Sequence, residues 1–148
     1  MTVNSDKRQL YELTARFFAA FATGDDPISL TPLRELFVDL AIITRTCGAD
    51  FATYDVDAFI EPREQLLNSG DLVDFSEYEI AETTQIFGDI AQRWCSYHKQ
   101  GCLRGENFAA QGMKTIQFIR TKEGWRISAV AWDDERDDLK IHNLESSP

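Results

Sequence analysis

Between Asn4 and Thr23 the apolar residues Leu10, Leu13, Phe17, Ala20 and Phe21 recur at three- and four-residue spacing. That period puts them on one side of an amphipathic helix, with Asn4 and Ser5 available as caps. Gly24 and the Asp25-Asp26-Pro27 cluster end it. Thr31 followed by Pro32 suits the cap and first position of a second short helix, Thr31 to Leu40, with Leu33, Leu36 and Phe37 on one side. Ala41 to Cys47 is short and β-branched, hence a strand. Tyr54 to Gly70 reads as a third helical segment, divided by Pro62 into a first turn and a main helix.

From Leu72 onward the pattern changes to four strands: LVDFSEYEIAETTQIFG, DIAQRWCSYHKQG, FAAQGMKTIQFIRT and WRISAVAWDDE. Gly88-Asp89, Gln100-Gly101 and Lys122-Glu123-Gly124 supply the turns. Three helices with a strand among them, followed by long antiparallel strands, is an α+β order, with the helices on one face of a curved, mostly antiparallel sheet. Such a sheet and its helices enclose a cone.

With 148 residues, 43% of them hydrophobic, the chain has enough material for one core, so we expect a single domain over 1–148. Its ordered part spans about 10–135, followed by an acidic tail, 136–148. A net charge of −10 disfavours nucleic acid as a partner. No apolar run is long enough for a membrane span, and the polar amino terminus is unlike a signal peptide, so the expected location is the cytoplasm. Cys47, Cys95 and Cys102 lack paired spacing and suit free thiols. Cys95, His98 and Cys102 spell C-x-x-H-x-x-x-C, but on a strand Cys95 and His98 point apart, so no metal site and no Cys-His nucleophile pair is expected. Nothing calls for a cofactor.

ARFFAAFATGD leading into LRELFVDLAIITRTCG, then FGDIAQRWCSYHKQG and GMKTIQFIRTKEGWRISAVAWDDE, resemble the nuclear-transport-factor-2-like superfamily. Its members include ketosteroid isomerase, scytalone dehydratase and the SnoaL-like cyclases. The RTCG, FIEPRE and GWRISAVAWDDE stretches are most similar to stand-alone bacterial members with no assigned reaction. The resemblance implies a cone-shaped, cystatin-like roll, but it does not fix chemistry. The isomerase's machinery does not carry over. Its tyrosine donor falls on Phe17, its general-base aspartate near Arg45, and its protonated acid on Gln117, which can donate a hydrogen bond but cannot titrate.

Alternation divides Ile90 to Gly101 into Trp94, Ser96 and His98 on one face and Arg93, Cys95, Tyr97 and Lys99 on the other. The resemblance points the first set into the cone, together with Val130 and Trp132. The expected pocket is therefore Arg45, Tyr54, Trp94, Ser96, His98, Gln117, Val130 and Trp132. Arg45 would need a carboxylate such as Glu77 or an anionic ligand. The resulting reading is a small-molecule-binding protein for a hydrophobic or carboxylate-bearing ligand. One alternative is a cofactor-independent lyase, isomerase or hydrolase with His98 as acid or base; another is a protein-interaction module. Arg93, Cys95, Tyr97, Ile127, Ala129 and Ala131 would form the outer sheet face of a homodimer.

Overall fold

A computed structural model describes residues 3–48 and 50–141. Of the acidic tail, 136–148, residues 142–148, His142 among them, lie outside the described residues. Within it, Arg136 pairs with Leu139 and holds Asp133 at 2.8 Å, so the chain folds back after its last strand.

Helix α1 (Val3–Ala19) follows the apolar period, burying Leu10, Leu13, Phe17 and Phe18. Asp6 lies on the same buried side, where the Arg120 guanidinium grips its two oxygens at 2.8 and 2.9 Å and Trp125 Nε1 donates at 3.2 Å. Arg120 first, and Trp125 after it, hold this carboxyl down to about 2 against the opposing effect of burial. The helix is thereby fixed to the sheet by a charged anchor as well as by packing.

The second expected helix is shorter than its apolar spacing suggests. A 3-10 segment covers only Thr31–Leu36, and strand β1 (Phe37–Arg45) starts at once. Phe37 pairs with Ile127 and is itself buried, so ladder bonds and core packing together override the helical spacing beyond Leu36. After the short strand β2 (Ala52–Tyr54), helix α2 runs unbroken from Val56 to Asn68 through Pro62. Asp55 caps it by accepting from Ala58 N at 2.8 Å. Pro62 is exposed, while Phe59, Ile60 and Leu67 on both sides of it are buried. Packing of both halves outweighs the lost hydrogen bond and ring clash, a cost of about 3 kcal/mol.

Strands β3 (Leu72–Phe87), β4 (Ile90–Leu103), β5 (Glu106–Thr121) and β6 (Gly124–Asp134) complete one six-stranded sheet in the order β2-β1-β6-β5-β4-β3. Only the β1–β6 pairing is parallel. The β4–β5 turn lies at Arg104-Gly105, both with positive φ, not at Gln100-Gly101; Gly101 sits inside the ladder opposite Phe108. The architecture is α+β with a curved, mostly antiparallel sheet, but the described residues form two α-helices and a 3-10 segment in place of three helices.

The two sides of β4 are the reverse of the expectation. Arg93, Cys95 and Tyr97 are buried against the helices, whereas Trp94 is 48% exposed on the other face. The inner face accepts Arg93 because Glu79, across on β3, binds it through two hydrogen bonds of 2.7 Å and Thr84 accepts a third. Alternation separates the sets correctly but carries no sign. On β6 a register shift at Gln117/Phe118 adds one residue, which turns Ile127 inward along with Val130, while Ala129 and Ala131 remain outward. Gly112 on β5 lies opposite Tyr97; a Cβ there would collide with the Tyr97 hydroxyl and the Asp133 carbonyl, so only glycine lets the Tyr97 ring cross this strand.

Candidate functional site

Between the inner sheet face and α1 and α2 lies a cavity of about 470 Å³. Phe17 and Phe21 come from α1, and Phe59, Leu66 and Leu67 from α2. Phe75, Leu103 and Phe108 close the side formed by β3, β4 and β5, and Trp132 of β6 stands edge-on to Phe59 with centroids 6.1 Å apart. Set into these apolar walls are the charged groups Arg45, Arg63, Glu77, Lys99, Lys114 and Asp134.

Lys114 is nearly inaccessible. Its ammonium pairs with Glu77 at 3.2 Å and lies 4.4 Å from the Phe18 ring centroid, 4.9 Å from Tyr97, 5.1 Å from Phe17 and 5.4 Å from Trp132. The negative faces of aromatic rings suit a cation that has left water. Lys99 pairs with Asp134 at 3.0 Å, and the Tyr97 hydroxyl donates to the same carboxylate. Burial pushes Asp134 upward, but the Tyr97 hydroxyl and Lys99 ammonium together outweigh it and hold it below the usual carboxylate range. Burial, reinforced by Asp134, drives the Tyr97 phenol far upward, so it remains protonated.

Arg63 lies over Phe59, its guanidinium carbon 4.0 Å from the ring centroid, with Tyr54 at 5.3 Å and Trp132 at 5.8 Å. Nη1 donates to the Phe59 carbonyl at 3.2 Å. Burial, with the neighbouring charge of Arg45, moves Arg63 below its ordinary value, while Tyr54 and Glu77 oppose the change. Among the described residues, neither Arg45 nor Arg63 has a carboxylate within 4.0 Å.

Of the residues expected at the pocket, Arg45 and Trp132 line the cavity. Tyr54 packs beside Phe59 and Arg63, and Val130 is part of the closed core. Trp94, Ser96, His98 and Gln117 belong to the outer sheet face. There His98 is held by Gln100 at 3.1 Å and Gln111 at 3.5 Å and lies against the Tyr78 ring. Its imidazole cannot reach a molecule in the cavity. Cys95 faces inward and His98 outward, so C-x-x-H-x-x-x-C does not converge, and burial raises the Cys95 thiol to about 12, which leaves it no nucleophile. Glu77 serves Lys114, not the expected Arg45. The sequence reading missed Arg63, Lys99, Lys114 and Asp134 as cavity residues. For Arg63 a signal existed: it follows Phe59 by one helical turn, the spacing that stacks a guanidinium on a ring.

No family model matches the sequence, and no curated protein matches it. Solved structures do resemble the fold. A nuclear-transport-factor-2-like protein with a cystatin-like fold from Novosphingobium aromaticivorans superposes with a TM-score of 0.69 at 21% identity, covering 88% of this chain and 82% of that one. A nuclear-transport-factor-2-like superfamily protein from Salmonella enterica serovar Typhimurium gives 0.73 at 14% identity, over 99% and 100%. A third, from the same family in Streptomyces avermitilis and provisionally named a dehydratase, gives 0.70 at 16%, over 92% and 100%. The chain therefore has the nuclear-transport-factor-2-like, cystatin-like fold.

Replacing Lys114 by Met leaves Glu77 charged and unpaired at the cavity wall, and should destabilise the protein by about 3 kcal/mol. Lys114→Met with Glu77→Gln should restore most of that loss in urea unfolding. Strictly additive losses from the two changes would show that the pair is not coupled.

Proposed function

We propose that the protein binds a small, largely hydrophobic molecule in the cavity between its sheet and helices. The observation that carries this reading is the cavity itself, about 470 Å³ walled by aromatic and aliphatic side chains with a few convergent polar groups. The buried ion pairs beneath it support the same reading, because Lys114 and Glu77 hold polar atoms where apolar side chains would otherwise close the core. A lyase, isomerase or hydrolase acting through His98 is disfavoured, since that imidazole lies on the opposite side of the sheet.

A second copy of the chain is the proposed partner of the outer face. Two cross-strand rows there, Thr83-Trp94-Thr115-Ala131-Thr44 and Gln85-Gln92-Gln117-Ala129-Ile42, contain no charged residue. In a chain of net charge −10, these rows offer a surface on which two copies can meet without opposing like charges. Arg93, Cys95, Tyr97 and Ile127, expected in this interface from alternation, are buried inside the protomer and take no part in it.

Two measurements test these proposals. N-phenyl-1-naphthylamine, an uncharged fluorescent probe, should brighten on binding, and Ala110→Trp, which fills the cavity from β5, should weaken that binding at least about tenfold. Unchanged binding by the filled variant would refute the cavity reading. In light scattering the native protein should run at twice 16.9 kDa and Trp94→Glu as a monomer; a native monomer would refute the dimer.

A further inference from the structure

The charges lining the cavity do not cancel, and the remainder specifies what its hydrophobic occupant carries. Four cations, Arg45, Arg63, Lys99 and Lys114, face two carboxylates, Glu77 and Asp134. The lysines use up both carboxylates, Lys114 with Glu77 at 3.2 Å and Lys99 with Asp134 at 3.0 Å. Arg45 and Arg63 remain, two like charges delivered to one cavity by the end of β1 and by the middle of α2.

Arg63 is positioned as a receptor group. The guanidinium lies 4.0 Å over the Phe59 ring and is held by the Phe59 carbonyl and by Tyr54, which leaves further N–H groups of its five for a ligand. Such a fork matches the two oxygens of a carboxylate, and partial desolvation strengthens the charge-assisted bonds it would form. Arg45, exposed at the rim, is free to meet the same anion from the β1 side. Away from this cationic end, Leu72, Phe75, Leu103 and Phe108 form an apolar one on β3, β4 and β5. The sheet order puts four strand spacings between β1 and β3, roughly 19 Å. The two unpaired arginines thus approach from the β1 and α2 side and this apolar group from the β3 side, on strands whose own charges, Glu77, Lys99 and Lys114, are already paired.

We propose that Arg45 and Arg63 bind the carboxylate of an amphipathic organic acid whose hydrophobic body lies toward Phe75 and Phe108. This rests on the reading of the cavity as a ligand site and names the class of ligand it takes. The chain as a whole is strongly acidic, so an anion is drawn to this protein only where cations have been gathered.

The test compares 2-naphthoate with its uncharged isostere 2-naphthamide by calorimetric titration of the full-length protein. The native protein should bind the acid at least about tenfold more tightly than the amide, with the preference shrinking as salt is raised. Arg45→Gln, at an exposed position where folding is not at risk, should cut the preference severalfold. Arg45→Gln with Arg63→Gln should abolish it, so that acid and amide bind alike. Equal binding of acid and amide by the native protein would overturn the carboxylate assignment and leave the cavity reading standing. Failure of both to bind would overturn the two together. Loss of acid and amide binding alike in Arg45→Gln would show that the arginine supports the cavity's shape, not the anion, and would also overturn the assignment.

Discussion

Burying the ammonium of Lys114 is the constraint around which this molecule is arranged. A lysine on the inner face of a curved sheet is tolerable only with an anion at hand and a surrounding that tolerates positive charge. Glu77 on β3 supplies the first, and the rings of Phe17, Phe18, Tyr97 and Trp132 supply the second. These rings belong to α1, β4 and β6, so satisfying one cation fixes the relative positions of a helix and three strands. Gly112 is part of the same arrangement, because its missing side chain lets Tyr97 reach Asp134.

The cavity follows from that arrangement. A uniformly apolar inner face would pack shut against α1 and α2, as it does around Ile43, Ile116, Ile127 and Val130. Where Lys99, Lys114, Glu77 and Asp134 interrupt the apolar surface, the helices cannot close down without stripping polar atoms of their partners. The pairing of these four groups also decides what is left over, since among the described residues no carboxylate lies within 4.0 Å of Arg45 or Arg63.

Much of the fold was legible in residue patterns. The α1 stripe, the strand run after Leu72 and the Gly88 and Lys122-Glu123-Gly124 turns stand where periodicity and turn chemistry place them. The failures have local causes. Phe37 has the spacing of a helix residue but is captured by the ladder to Ile127. Pro62 reads as a breaker but sits on an exposed side of a helix buried on its other side. The site was less legible, because alternation gives two faces of β4 without saying which is inside. Arg93 and Lys99 fall on the expected outer face only so long as Glu79 and Asp134, distant in sequence, are not known to lie beside them. His98 drew attention as a titrating group, yet its partners Gln100, Gln111 and Tyr78 belong to the outer face. Arg45 was found from the resemblance, whereas Arg63 was hidden inside an otherwise ordinary amphipathic helix.

On the proposal made for the cavity, paired lysines hold it open and leave two arginines to receive an acid. The most direct measurement is a crystal structure of the protein grown with 2-naphthoate. Carboxylate oxygens should lie about 2.8 Å from guanidinium nitrogens of Arg45 and Arg63, with the naphthyl ring directed toward Phe75 and Phe108 and the Lys114–Glu77 pair intact. A carboxylate seated on Lys114 with Glu77 displaced, or an empty cavity closed over by Phe17 and Phe59, would contradict it.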